Sequence, residues 1–338
     1  MKKQLFFVAC AALALASCSE KETVEMPDSA AIGFGTFVDN ATRVELTNDN
    51  LREFFVFGRM GTDDVLFNNQ SVTSADGQSW TYSPKQWWEA GKTYEFIAYA
   101  PAIGEGNGTV APSDDYSKVL FTDFIQGDGD NNLDLIVAEE LTPTCSDVNS
   151  MEVQKFTFNH ILSMVRLTFE SEFGDGITLT IKDVKLKGSN SKGSYDGTTW
   201  TPAAQAVPAD YTLATGEGVN ATVSADAVTE GAIVLPQNYA ENTVTVTFKV
   251  AAVYDESQEY VGGDYPVDGS YDIEATLPVV DGGWAKANRY NYVAKLNREN
   301  TVNPDDPNTP KPIEFGLTKV TEWPAYSEAG DASVNAGE

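Results

Sequence analysis

The sequence predicts an all-β protein made of two β-sandwich domains in tandem, followed by one extra C-terminal strand. Short runs with the two-residue periodicity of strands recur across residues 31–323, and segments with helical periodicity are scarce. Turn sequences rich in Gly and Asp, such as Asp196-Gly197, separate these runs. Many short strands joined by such turns are typical of sandwiches, and 338 residues are enough for two such domains.

Individual strands can be recognised from the alternation of apolar side chains. In residues 244–250 every second residue is apolar, which gives the strand one buried and one exposed face. In the run that begins at Ile177 the alternation changes phase before Val184, which predicts a β-bulge near Lys182 and Asp183. Two further runs are apolar on both faces and predict buried central strands: residues 94–100 and 135–138.

The N-terminus resembles a bacterial lipoprotein signal. Lys2 and Lys3 form a basic region, and the apolar run at residues 5–16 is too short to span a bilayer as a helix. The sequence Leu-Ala-Ser before Cys18 looks like a lipobox, although an ordinary signal peptide with a coincidental cysteine is the alternative. We expect residues 1–17 to be removed, residues 18–30 to form a tether, and Cys18 to carry the lipid that anchors the protein in the outer membrane.

The rest of the chain divides at two polar stretches. Residues 142–150 predict a domain boundary, and residues 297–312 carry four prolines and predict a linker without regular structure. The strand-like run that begins at Ile313 has no hairpin partner, so it must reach back to a sheet edge or pair with a neighbouring molecule. The predicted units are an N-terminal sandwich at 31–148, a C-terminal sandwich at 149–297, a linker at 298–312, and a terminal strand with its tail at 313–338.

Composition argues against several functions. A net charge of −28 argues against binding to nucleic acid. Cys10 leaves with the signal peptide and Cys18 takes the lipid, so only Cys145 keeps a thiol, and neither an intrachain disulfide nor a cysteine zinc cluster is expected. His160 is the single histidine and we expect it to pack or hydrogen-bond at the start of a strand. No Gly-x-Ser-x-Gly or nucleotide-binding glycine motif occurs, so the sequence predicts no enzyme activity and no cofactor.

One acidic segment partly matches a calcium-binding loop. Asp128, Asp130 and Asn132 fall at the first, third and fifth positions of such a loop, and Glu139 falls at the twelfth. Leu133, however, stands where the sharp turn requires glycine. The segment is therefore a weak calcium candidate, and an acidic turn leading into a strand is the favoured interpretation.

Aromatic side chains suggest a second class of function. Trp80, Trp87, Trp88 and Tyr99 could stack on sugar rings, which would make the protein a glycan-binding outer-membrane lipoprotein that remains monomeric. Packing in the core is the favoured interpretation. Because neighbouring side chains of a strand point to opposite faces, Trp87 and Trp88 cannot both face inward.

The sequence resembles the fimbrillin-like lipoproteins, which are relatives of the major and minor fimbrillins of type V pili. The likeness spans nearly the whole chain. Five segments carry it, in this order: the lipobox at Cys18; residues 32–37 (IGFGTF) with Ala41-Thr42-Arg43; Trp87-Trp88 with residues 94–101 (YEFIAYAP); residues 158–163 (FNHILS); and residues 233–237 (IVLPQ) with Trp284 and Tyr290-Asn291-Tyr292.

The resemblance implies two transthyretin-like sandwiches in a surface lipoprotein that is a structural or adhesive subunit of a fimbria. In pilus-forming members an Arg-specific protease cuts near the first strand, and a terminal strand of the next subunit fills the groove that opens. Arg43 would be the processing site, although a solvent-exposed arginine is the alternative and Arg52 and Arg59 lie nearby as other candidates for the cut. Ile313, Phe315 and Leu317 would anchor the donor strand in another pilin subunit, unless that strand folds back on its own domain. The adhesion ligand stays open.

Overall fold

The computed structural model describes residues 30–37, 50–254, 273–301 and 313–322. Within these ranges the chain forms 22 β-strands, a single four-residue α-helix, and short 3-10 helices at Gly129–Asn131 and Val148–Ser150. The all-β prediction is therefore confirmed. Within the same ranges, none of the helices has the length and apolar character needed to cross a membrane.

The strands of the first half of the chain are β1 Phe34–Phe37, β2 Glu53–Met60, β3 Asp64–Ser74, β4 Trp80–Thr81, β5 Lys92–Ala100, β6 Thr109–Pro112, β7 Val119–Ile125, β8 Ile136–Ala138, β9 Thr144–Cys145, β10 Gln154–His160 and β11 Ser163–Ser171. The strands of the second half are β12 Ile177–Asn190, β13 Lys192–Tyr195, β14 Trp200–Pro202, β15 Pro208–Ala214, β16 Val219–Ala221, β17 Ala227–Val228, β18 Ala232–Val234, β19 Thr245–Tyr254, β20 Ile273–Thr276, β21 Asn288–Leu296 and β22 Phe315–Glu322.

The strands form four sheets. Sheet 1 runs in the order β1-β10-β8-β5-β2-β3-β4, with β9 paired to β5. Sheet 2 has the order β17-β11-β21-β22, with β18 on β11, and sheet 3 has the order β15-β12-β19-β20, with β16 on β12. Sheet 4 has the order β14-β13-β7-β6. The pairs β1–β10 and β11–β21 are parallel, and the other pairs between strands of the described chain are antiparallel.

Sheets 2 and 3 enclose the largest hydrophobic core. Alternate residues of β11 and β21 point into it from sheet 2, and alternate residues of β12 and β19 point into it from sheet 3. The rings of Phe169 on β11 and Phe248 on β19 lie 5.0 Å apart across this core. Face-to-face sheets with interdigitated side chains are the architecture of a β-sandwich.

Sheet 1 is covered on both faces, as the two runs without alternation predicted. Along β5, Phe96 and Ala98 belong to one hydrophobic cluster, whereas Ile97 and Tyr99 belong to another that includes sheet 4. Leu135 and the first residue of β8 are likewise fully buried. Both strands lie in the interior of the sheet order, so their prediction as central strands is confirmed, although Val137 and Ala138 at the end of β8 are only half-buried.

The chain passes from sheet 1 to sheet 2 between β10 and β11. β10 follows the predicted domain boundary in sequence, yet it pairs with β8 and β1 of sheet 1. Sheet 4 also joins both halves of the chain, because β7 pairs with β13. The division at residues 148 and 149 therefore stays a prediction, and the structure places the change of sheet at Ile161 and Leu162.

Two local predictions can be compared with the backbone. The pairing of β12 with β19 shifts register between Lys182 and Lys185, and Asp183 has a φ of 51°, so the predicted bulge is confirmed. The expectation that the linker contains no regular structure was wrong at its start, because Arg298–Thr301 forms one helical turn. Asn297 caps that turn by accepting a hydrogen bond from the backbone N–H of Asn300 at 3.1 Å.

Candidate functional site

The first strand, β1, fills a slot in sheet 1. It lies at the edge of the sheet, parallel to β10. Phe34 is buried, and its ring lies 5.2 Å from that of Phe67, 5.3 Å from Phe96 and 5.6 Å from Phe156. Because these partners come from three other strands, one four-residue strand completes the packing of an aromatic cluster drawn from much of the sheet.

Backbone bonds hold the segment just before β1 against the loop that precedes β5. The N–H of Ile32 donates to the carbonyl of Gln86 at 2.8 Å, and the N–H of Trp88 donates to the carbonyl of Ala30 at 2.9 Å. The hydroxyl of Tyr82 donates to the carbonyl of Ile32 at 2.7 Å. Ile32 is itself buried in the same cluster as Phe34. Loss of β1 would therefore leave an elongated apolar slot edged with free backbone donors and acceptors.

A cleft of about 780 Å³ adjoins β1. Thr36 and Val153 line one side of it, and the turn that carries Asp76 and Trp80 lines the other. The ring of Trp80 packs on Phe54 at 4.7 Å. The cleft gives the outer side of the first strand direct access to solvent.

The terminal strand, β22, lies at the edge of sheet 2. It pairs antiparallel with β21, with Phe315 opposite Ala294 and Leu317 opposite Tyr292. Ile313 and Phe315 are buried in the sandwich core, and Leu317 is half-buried against it. The strand thus reaches back to a sheet edge of its own chain, which is one of the two arrangements that the sequence left open.

Two of the predicted site residues, Cys18 and Arg43, lie outside the described residues. The three predicted strand anchors lie together at the edge of sheet 2, as described above. The three calcium candidates lie in the turn before β8. The carboxylate of Asp128 accepts hydrogen bonds from the N–H and hydroxyl of Thr212, at 2.7 and 2.9 Å.

The calcium candidates are engaged in holding this turn against the second half of the chain. The side-chain amide of Asn132 donates to the carbonyl of Ile233 at 2.7 Å and its oxygen accepts from the N–H of Ile233 at 2.8 Å. Asp130 is exposed. A calcium ion at this turn would have to displace those bonds, and the described residues contain no group of three His, Cys, Asp or Glu side chains placed to hold a metal.

The aromatic candidates for sugar stacking are mostly structural. Trp88 and Tyr99 are buried, whereas Trp80 and Trp87 are half-buried. The adjacent tryptophans therefore differ in exposure, as their spacing predicted. Burial raises the pKa of the Tyr99 hydroxyl to about 12, and that hydroxyl donates a 2.9 Å hydrogen bond to the side chain of Asn69.

Comparison with known proteins places the chain in a family. The sequence profile of a family described as fimbrillin-like matches residues 41–310. The chain belongs to the fimbrillin-like family. The comparison with curated protein sequences found no match.

Solved structures share the fold. A fimbrial protein from Bacteroides vulgatus is 15% identical with a TM-score of 0.59, and the match covers 87% of this chain and 99% of that one. A candidate cell adhesion protein from Bacteroides uniformis is 14% identical with a TM-score of 0.55, covering 88% of this chain and 100% of that one. At these identities the likeness is one of fold.

The sequence did not identify the residues that form the slot for β1. The apolar run at residues 94–100 predicts that Phe96 is buried, but it does not show which strand lies across from it. A parallel partner more than 100 residues away leaves no local signal, because parallel strands are joined by long connections. The family profile begins at residue 41, after this strand.

Proposed function

We propose that this fimbrillin-like chain is a cell-surface lipoprotein that serves as a structural or adhesive subunit of a fimbria and assembles by donor-strand addition. The observation that carries the proposal is the slot of β1. A short edge strand supplies Phe34 and Ile32 to a cluster built by other strands, so a strand from another subunit can take its place. The role is non-enzymatic.

Processing after Arg43 would start the exchange. The cut would release the segment from Cys18 to Arg43, which contains β1, and would uncover Phe67, Phe96 and Phe156. Burying each large apolar side chain of an incoming strand stabilises the complex by about 1.5–3 kcal/mol. Such a contact repeated head to tail does not close on itself and produces a filament.

β22 has the pattern expected of the donor. Ile313, just before the strand, and Phe315 and Leu317 within it alternate along the chain and already pack in the core of sheets 2 and 3. As the outermost strand of sheet 2, it can leave without breaking any pair except the one with β21. In the free subunit this self-pairing protects the strand, and transfer to a neighbour exchanges one set of apolar contacts for another.

Anchoring and location follow from Cys18. A lipid on this cysteine would hold unprocessed subunits in the outer membrane with both halves of the molecule outside the cell. The partners in this proposal are the outer membrane, through the lipid, and other pilin subunits. Processed subunits would be part of the fimbrium.

The test compares native protein before and after treatment with an Arg-specific protease. We expect the intact mass to fall by the segment that ends at Arg43, and ladders of oligomers to appear on denaturing gels. Arg43→Ala should prevent both changes, whereas the matched variant Arg52→Ala should not. If the N-terminal segment stays attached and no oligomers form, assembly by strand exchange is wrong for this protein.

The role of the terminal strand is tested separately. Phe315→Glu places a charge at a buried position of the strand, so processed subunits should no longer form ladders. Val320→Glu changes charge equally at an exposed position of the same strand and should leave assembly intact. Equal assembly by both variants would show that another segment is the donor.

A further inference from the structure

The outer face of sheet 2 carries two arginine side chains that line one pocket. Arg166 on β11 and Arg289 on β21 lie on the face opposite the sandwich core, because the neighbouring residues Leu167 and Tyr290 point into that core. The pocket has a volume of about 330 Å³. It is open to solvent, and one of its lining residues, Thr321, belongs to β22, so the pocket is complete only while β22 is paired with β21.

The register of the strands brings the two arginines together. Met164 lies opposite Arg289, and Arg166 lies opposite Asn291, so Arg166 and Arg289 are diagonal neighbours on one face of a parallel pair. An anion placed between the two guanidinium groups is attracted by both positive charges. Guanidinium groups match carboxylate and sulfate oxygens particularly well, because their donors form a planar fork.

The guanidinium group of Arg166 has a hydrogen-bond donor without a partner at this pocket. Its Nε atom is buried and has no hydrogen-bond partner, and no ion pair between described residues involves its guanidinium. Arg59 is different, since it binds the carboxylate of Glu95 and the backbone carbonyls of Asp114 and Asp115. Buried donors in folded proteins are nearly always satisfied, so an exception at a pocket indicates a ligand.

We propose that this pocket binds a sugar that carries a carboxylate or sulfate group, with the acidic group on Arg166 and Arg289. Thr321 lines the pocket and provides a hydroxyl group for the sugar hydroxyls. The hydroxyl of Thr168 donates to Oδ1 of Asn291 at 3.0 Å, so it can accept a hydrogen bond from the sugar. Met164 and Val228 provide apolar surface for the ring carbons, and Asn291 completes the polar side.

The size and shape of the pocket favour a sugar over the other anions. Its volume is at the lower end of the range for small-molecule pockets, which is about 300–1,000 Å³, and exceeds what an inorganic ion needs. An extended acidic peptide would require a groove or a free sheet edge along several residues. The net charge of −28 does not prevent binding, because charges beyond about 8 Å are screened at physiological ionic strength.

The test is calorimetric titration of the unprocessed full chain, which requires no assembly. The probes are D-glucuronate and glucose 6-sulfate, with D-glucose, inorganic sulfate and N-acetyl-L-glutamate for comparison. We expect at least one acidic sugar to bind about tenfold or more tightly than each of the three comparison compounds, as loss of a charge-assisted hydrogen bond implies. Whether glucuronate or the sulfated sugar binds more tightly identifies the acidic group.

Variants assign the binding to this pocket. Arg166→Gln should weaken binding of the acidic sugar about tenfold or more, and Arg166→Lys should weaken it less, because it keeps the charge and loses the fork. Lys185→Gln removes one positive charge from an exposed position on sheet 3 and should leave binding of the acidic sugar unchanged. If Arg166→Gln alters the circular dichroism spectrum, Arg289→Gln replaces it in this comparison.

Several results would overturn the proposal. If glucose binds as tightly as the acidic sugars, the acidic group is not recognised. If inorganic sulfate binds as tightly as the acidic sugars, the sugar ring is not recognised. Preference for N-acetylglutamate would point to an acidic peptide instead. Binding unchanged in both arginine variants, or no binding of either acidic sugar, would remove this pocket as the site. None of these results bears on strand exchange, which the protease experiment tests.

Discussion

The Nδ1 atom of His160 lies 2.8 Å from Oδ1 of Asp134, and only 1% of each side chain is exposed. His160 ends β10, and Asp134 stands two residues before β8, so the pair joins the two strands at the point where the chain leaves sheet 1. The single histidine of the sequence is hydrogen-bonded, as expected, but the expectation that it stands at the start of a strand was wrong, because it is the last residue of β10.

Removing one member of this pair should destabilise the protein strongly. His160→Phe keeps the volume but takes a buried partner from the Asp134 carboxylate, and breaking a buried pair in this way costs about 3–5 kcal/mol. Urea unfolding should show that loss in the free energy of unfolding at pH 7. The double variant His160→Phe/Asp134→Leu should recover part of it, because no polar side chain is then left in the interior without its partner. A single-variant loss under about 0.5 kcal/mol would be typical of a surface site and would contradict this role.

The terminal strand should contribute to stability in proportion to the burial of each anchor. Phe315 contacts the rings of Phe169 at 5.7 Å and Phe248 at 6.4 Å, so Phe315→Ala should lower the free energy of unfolding by about 3–5 kcal/mol. Val320 on the same strand is 45% exposed, and Val320→Ala should change it by no more than about 0.5 kcal/mol. Urea unfolding of both variants as monomers provides the measurement. Equal, small effects would mean that the strand is not held on β21 in solution.

The sequence predicted features that depend on neighbouring residues and missed those that depend on distant ones. The central position of β5 follows from an apolar run without alternation, and the bulge at Asp183 follows from a change in the phase of alternation, and a single strand displays either pattern by itself. The pairing of β1 with β10, and that of β7 with β13, depends on register between segments far apart in sequence. Arg166 likewise occupies an outward position in an alternating strand, and only the fold shows that it shares a pocket with Arg289.

Two glycines with similar backbone angles should respond differently to alanine. Gly188 has a φ of +83°, and a Cβ there would lie 2.0 Å from the carbonyl oxygen of Thr243. Gly282 has a φ of +77°, with no atom within 4 Å of the added carbon. Both variants incur the left-handed backbone cost of about 1–2 kcal/mol. Gly188→Ala should lower the free energy of unfolding by a further ~1–3 kcal/mol, because the backbone must move to relieve the clash.

Thermal or urea unfolding of Gly188→Ala and Gly282→Ala distinguishes these two contributions. Gly282→Ala serves as the control for backbone strain alone, so the difference between the variants measures the steric clash with Thr243, two residues before β19. Similar losses for both would show that the approach of β12 to Thr243 is looser in solution than in the structure.

The turn that carries Asp76 should respond to acid well below the usual range for a carboxyl. Its carboxylate accepts hydrogen bonds from the N–H groups of Ser79 at 2.7 Å and Gln78 at 2.8 Å, and from the hydroxyl of Ser74 at 3.0 Å. These bonds favour the charged form and lower the pKa to about 2. Since the pKa in the folded state lies below that of an unfolded aspartate, about 3.9, the stabilisation is fully present above pH 4. It is lost as the pH falls through 2.

Nuclear magnetic resonance can follow this titration at the turn itself. The amide signals of Gln78 and Ser79 should shift with a midpoint near pH 2, because protonation of Asp76 weakens the bonds that both amides donate. In Asp76→Asn the shift with that midpoint should vanish, since the amide side chain does not titrate. A midpoint near 4 in the unmodified protein would mean that the turn does not hold the carboxylate in solution, and that the cleft beside β1 has a looser wall than the structure gives it.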